Sequence, residues 1–175
     1  IEFDEEGVTQ LSIYPEKYDK ACLIHPWGWG KDFPSHMKTL FELDGVLIIG
    51  CNVVGDLHKL RRQFNIMFQR VRDIRRLAVL HKRQKTGLKD LVAEYLYLYI
   101  SKQYQRANFR VAPPLPVHLQ EYAVGDAILP IKIDAVLTEL LAGTLVGTHP
   151  PDLRPGADII VKSCRSKTSL FGRVW

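Results

Sequence analysis

The sequence predicts an α/β fold, a mixed sheet flanked by helices, on three observations. Short strand-like runs open the chain and end at prolines. Val46-Leu47-Ile48-Ile49-Gly50-Cys51 is almost continuously apolar and rich in β-branched residues, the texture of a strand buried on both faces. Helical periodicities then follow these runs in alternation, which is how helices come to lie against a sheet.

The elements can be justified in order. Residues 8–14 roughly alternate apolar and polar and stop at Pro15, and Ala21-Cys22-Leu23-Ile24 is a short apolar run ending at His25-Pro26, so both read as strands. Pro34 and Ser35 open a helix whose apolar Met37, Leu40, Phe41 and Leu43 recur at helical spacing before Asp44-Gly45. The buried strand at 46–51 feeds a helix beginning at Gly55-Asp56, with Leu57, Leu60 and Phe64 on one side and Lys59, Arg61 and Arg62 largely on the other. Further helices are expected at 77–80 and 87–96, then a proline-rich loop at 103–116. A long helix spans 117–141 and should be interrupted or kinked near Pro130, whose ring and missing N–H oppose helix continuation. Beyond Gly143, Pro and Gly break the chain, Ile159-Ile160-Val161 reads as a strand, and a basic tail closes at Trp175.

With 175 residues, the chain has the size of one domain with an appendage. Its longest apolar stretch is far shorter than a membrane-spanning helix requires. The acidic start lacks the basic and apolar character of a secretory signal, so the chain is expected to be part of a larger protein. Cys22, Cys51 and Cys164 form no C-x-x-C pair and suit a reducing, intracellular setting, nuclear or cytoplasmic. The six histidines show no zinc-ligand spacing with the cysteines, and neither G-x-x-x-x-G-K-[ST] nor G-x-S-x-G occurs. Zinc chemistry, P-loop nucleotide hydrolysis and serine-hydrolase chemistry are therefore unsupported. The net charge is +5, and residues 59–85 hold ten Lys or Arg against one acid, Asp73. That run is either a solvated helical face or a phosphate-contacting surface, with Lys59, Arg61 and Arg62 as the nucleic-acid-binding candidates.

Three acidic features remain. Asp4 and Glu6 stand at i and i+2, which on an extended strand places both carboxylates on one face, suited to a hard metal ion. An acidic cluster of this kind is also commonly just solvated. Asp56 follows a buried strand at the start of a helix, where it either caps the helix or faces a site. Tyr122 and Asp126 stand at i and i+4 on one helical face among apolar residues, and a carboxylate buried there needs a partner such as a metal or a hydrogen-bond donor.

Taken together and in order, these features resemble a known family. Phe3-Asp4-Glu5-Glu6 resembles the D-x-E motif of DEDD exonucleases, and residues 52–60 resemble their second motif, an aspartate on an apolar-spaced helix. Tyr122-x-x-x-Asp126 resembles the third motif in its Y-x-x-x-D form. The chain is thus similar to the DEDDy group, which includes ribonuclease D and the Werner-type exonuclease. Gly87-Leu88-Lys89-Asp90-Leu91 and Leu119-Gln120-Glu121-Tyr122-Ala123 add to the likeness.

The resemblance implies a ribonuclease H-like fold over residues 1–142. It does not cover 143–175, which are expected to form an extension packed on that core, anchored by Phe171 and Trp175, because about 30 residues rarely support a core of their own. It also implies a 3′-5′ exonuclease using two Mg²⁺ or Mn²⁺ ions on the 3′ end of RNA or DNA, single strands favoured. Asp4 would bridge the ions, Glu6 and Asp126 would complete one site, Asp56 would support the other, and Tyr122 would orient the attacking water. All four carboxylates should therefore converge. Trp27 and Trp29 either stack on a terminal base or pack a loop onto the sheet. Two alternatives remain open: a catalytically silent exonuclease-like scaffold for RNA or protein, supported by the short run between Glu6 and Gln10, and a basic adaptor resting on residues 59–85.

Overall fold

A computed structural model describes residues 1–5, 7–26, 32–112 and 114–143. Glu6, Trp27, Trp29, the expected strand at 159–161 and the anchors Phe171 and Trp175 lie outside the described residues. The strands form two ladders. β1 (Glu2–Asp4), β2 (Gly7–Ile13) and β3 (Cys22–Ile24) pair antiparallel in that order, while β4 (Leu47–Gly50) and β5 (Arg70–Asp73) pair parallel. Both pairing senses of a mixed sheet are thus present.

The helices are α1 (Phe33–Phe41), α2 (Val53–Phe64), α3 (Ile74–Leu80), α4 (Leu88–Tyr95) and α5 (Val117–Leu141). α2 connects the parallel strands, and its apolar Val53, Leu57 and Leu60 pack with Val8 of β2. On α1, Phe33, Met37 and Phe41 join Leu11 and Ile66 in a neighbouring cluster. A third cluster brings Ile74 and Ala78 of α3, Leu91 and Val92 of α4, and Ile133 and Leu137 of α5 together, all fully buried. Every helix therefore buries the stripe that its sequence spacing presents. Among the described residues, no helix is long and apolar enough to cross a membrane.

Three expectations change. The interruption of the long helix is not observed: α5 runs continuously through Pro130, which is itself buried among apolar residues. Packing of both halves holds the helix, although position 130 offers no N–H to the Asp126 carbonyl one turn earlier. The helix after β4 begins at Val53 instead of Gly55, with Asn52 in the left-handed region (φ 59°) at its N-terminus. Gly50 makes that tight approach possible, because a Cβ there would stand 2.6 Å from the Val53 Cβ. Lastly, β5 lies inside the basic run, where Arg70-Val71-Arg72-Asp73 carries too little apolar patterning to signal a strand.

The charges of β5 are used internally. Asp73 is buried and its Oδ1 accepts hydrogen bonds from the Asn52 N–H (2.9 Å) and the Arg75 N–H (3.0 Å), capping α3 and fastening the start of α2. The Arg72 guanidinium donates to Asp134 Oδ2 of α5 at 2.8 Å, with side-chain exposures of 38% and 8%. Arg72→Met strands the Asp134 carboxylate in the interior, and because Arg72 is itself partly solvated the expected loss is about 2 kcal/mol in urea unfolding, below the range for fully buried pairs. Adding Asp134→Leu to that variant should restore most of it.

Candidate active site

The sequence brings three acids to one cleft from three directions. A cavity of about 1500 Å³ is bordered by Glu2 of β1, Asp56 in the first turn of α2, and Tyr122 and Asp126 on α5. Asp56 is placed by the β4-to-α2 turn, which the Arg75 side chain clamps by donating to Asn52 Oδ1 (3.1 Å) and Thr86 Oγ1 (3.1 Å). Tyr122 is placed by the loop before α5. Phe109 packs against its ring at a centroid distance of 6.2 Å and Tyr104 approaches edge-on at 6.3 Å. Phe109, Leu115, Leu119 and Ala123 form the buried cluster beneath it.

The electrostatics show how close these groups lie. Burial, with the charges of Asp126 and Asp56 adding to it against the pull of the Ile1 amino group, pushes the Glu2 carboxyl up to about 7. Burial also raises Asp126, opposed by the hydrogen bond from Tyr122, the Ile1 amino group and the Lys102 charge. Asp56 is raised by burial too, with the Ile1 amino group and Lys59 opposing and Asp73 adding to it. Burial, the Asp126 and Glu2 charges, and the hydrogen bond to Asp126 all raise Tyr122, so its phenol keeps its proton.

Asp4 stands elsewhere. β1 ends at Asp4, which pairs with Gly7 of β2. The Asp4 Oδ1 instead accepts the Gly7 N–H (3.1 Å) and an Arg110 N–H (3.0 Å), and Oδ2 lies 2.8 Å from Arg110 Nε. Gly7 has φ 128°, and a Cβ there would collide with the Gln63 side chain at 2.3 Å. The convergence expected of four carboxylates is thus corrected in membership: Asp56 and Asp126 share the cleft, Glu2 joins them, and Asp4 closes a turn. The acid–x–acid spacing of Glu2 and Asp4 is visible in the sequence and would put both on one face of a regular strand, but the register shifts between Glu2 and Phe3, and Glu2 borders the cleft while Asp4 does not. Lys59, Arg61 and Arg62 are exposed on α2 and none borders this cleft; Lys59 lies 4.3 Å over the Phe3 ring.

Oxygen donors pushed toward protonation by burial and by one another suit a hard divalent cation, whose charge would relieve both effects. Among the described residues, no three His, Cys, Asp or Glu side chains stand close enough together to hold a metal ion. Carboxylate oxygen is the donor type that Mg²⁺ or Mn²⁺ takes, but Glu2, Asp56 and Asp126 border one cleft without closing around a common point.

This architecture has solved counterparts. Brucella melitensis NrnC is 26% identical with a TM-score of 0.61, the match covering 72% of this chain and 61% of that one. The catalytic core of RRP6 from Trypanosoma brucei is 18% identical with a TM-score of 0.61, covering 72% and 34%. The Aedes aegypti Nibbler EXO domain is 20% identical with a TM-score of 0.60, covering 78% and 72%. The chain thus spans less than two thirds of the NrnC chain and about a third of the RRP6 chain. No curated protein matches the sequence. Fold and neighbours define a DEDD-type exonuclease domain of ribonuclease H-like architecture. The model of the 3′-5′ exonuclease family matches residues 5–142, and the chain belongs to that family.

Proposed function

We propose that this domain is a metal-dependent 3′-5′ exonuclease of the tyrosine-bearing DEDD type, hydrolysing phosphodiester bonds at the 3′ end of single-stranded RNA or DNA. The observation that carries the reading is the meeting of Glu2, Asp56 and Asp126 in one cleft with Tyr122 hydrogen-bonded to Asp126. NrnC recorded bound to pGG supports an oligonucleotide substrate for this chain. Residues 1–142 form the catalytic unit in this reading, with 143–175 as an extension of it.

Glu2, Asp56 and Asp126 would each offer a carboxylate oxygen to Mg²⁺ or Mn²⁺ ions, whose remaining ligands would be water and substrate phosphate oxygens, and the ions would supply an activated water and stabilise the departing 3′ oxygen. Tyr122 contributes position. Its hydroxyl donates a hydrogen bond to Asp126 and stays protonated, so its lone pairs are left to accept an O–H from the attacking water and fix that water's direction. Burial of the carboxylates excludes competing solvent and strengthens their hold on a cation.

A 5′-labelled single strand incubated with the protein and Mg²⁺ or Mn²⁺ should shorten stepwise from its 3′ end, and EDTA should stop it. Asp56→Asn should lose that activity, whereas Asp4→Asn, which loses only an exposed ion pair and a turn contact, should retain it within about tenfold. Wild-type protein that binds the strand and leaves its 3′ end intact with either metal would overturn this reading in favour of a silent scaffold.

A further inference from the structure

We propose that the wall of the cleft formed by the start of α4 and residues 99–105 is the track that delivers a single strand to the carboxylates, Lys102 holding a backbone phosphate and Tyr99 stacking a base. The inference rests on the exonuclease reading above and names its substrate-positioning residues.

Three carboxylates repel an incoming polyanion, so the approach to them needs a cation that is not already spent on a protein acid. Lys102 is that cation. It borders the same cleft as Asp126, it is exposed, and it makes no ion pair or hydrogen bond among the described residues. Its ammonium is nonetheless placed: a methyl group built on Gly87 would lie 3.8 Å from Lys102 Nζ, which puts the charge at the first turn of α4. Asp90 Oδ2, in the first turn of α4, lies 3.2 Å from the same point.

Just outward, the Tyr99 ring is 78% exposed, and Lys89 Nζ lies 4.6 Å from its centroid and 3.3 Å from its hydroxyl. The open face of that ring is free to take a nucleobase, a planar partner of the right size. Lys89 borders the cleft as Lys102 does, and the Tyr99 ring stands beside Lys89 at its edge. The basic face of α2 offers no such path: Lys59 and Arg62 border a separate shallow cavity with Asp4 and Glu5.

The test is binding of a 5′-fluorescein-labelled single-stranded RNA, and of the same sequence as DNA, by anisotropy across a salt series with EDTA present to prevent turnover. Lys102→Met should weaken binding and lower the slope of log affinity against log salt by about 0.7. Tyr99→Ala should weaken it by roughly 5- to 100-fold, with Tyr99→Phe restoring most of the loss because the ring face remains. In turnover with Mg²⁺, both Lys102→Met and Tyr99→Ala should raise KM more than they lower kcat. An unchanged slope in Lys102→Met, or a slope lowered by Arg62→Met in its place, overturns the proposal. Wild-type protein that binds through Lys102 and Tyr99 but degrades no 3′ end supports the track and overturns the exonuclease reading alone.

Discussion

Asp126→Asn is expected to reduce 3′-end degradation by well over a hundredfold in Mg²⁺ or Mn²⁺, while the variant still binds single strands in EDTA. The reason lies in the two tasks that meet at this carboxylate. It faces the cleft as an anionic oxygen donor and it accepts a hydrogen bond from the Tyr122 hydroxyl. Asparagine keeps the shape but removes the charge, and its amide can donate toward Tyr122 and turn the hydroxyl's lone pairs away from a water. Losing a group that merely orients a metal ligand costs roughly 10–100-fold, and losing the ligand together with the tyrosine's orientation costs more. Gel analysis of 5′-labelled strands in single turnover measures it. Activity within tenfold of wild type would remove Asp126 from the chemistry, and Tyr122→Phe separates the two tasks by deleting only the hydroxyl.

The second large effect is on stability. The Glu2 carboxyl stands at about 7 against an ordinary value of 4.5, and Asp56 and Asp126 are displaced in the same direction. A carboxyl whose folded-state pKa is raised binds its proton more tightly in the folded state. Its contribution is therefore present below the unfolded pKa and is lost as pH rises through the folded one. Metal-free wild type should accordingly lose thermal stability relative to Glu2→Gln between about pH 5 and pH 8. Mg²⁺ or Mn²⁺ should recover it, more at the upper end of that window than at the lower, because a cation competes with the protons. Glu2→Gln should flatten both trends and lose 3′-end degradation. Parallel melting curves for wild type and variant across the window would sink the assignment.

Much of this was legible in the sequence. Tyr122 and Asp126 share a face because helical spacing fixes it, and apolar neighbours on both sides announced that the face is enclosed. Asp56 was readable from the buried strand that feeds its helix. The first acid was harder: Glu2, Asp4 and Glu6 stand two apart, and period-two spacing cannot choose among them. The choice is made by the Asp4-to-Gly7 pairing and by Arg110, more than a hundred residues along the chain, which takes the Asp4 carboxylate for itself. β5 escaped for a related reason. Its Arg72 finds its use in a tertiary contact with Asp134 of α5, and local pattern carries no record of that.

Pro130 gives α5 two mechanical regimes. Residues 119–126 rest on the Phe109 cluster and present Tyr122 and Asp126 to the cleft, whereas residues 133–137 rest on α3 and α4 in a different core cluster. Between them the rung from position 130 to Asp126 is missing, so the two halves are not bound into one cooperative ladder. The half that faces substrate can therefore open at a lower free-energy cost than the half that anchors the domain. Amide hydrogen exchange along α5 would register this as a step in protection at the proline, faster on the cleft side, and a strand could settle against the tyrosine without the core having to yield.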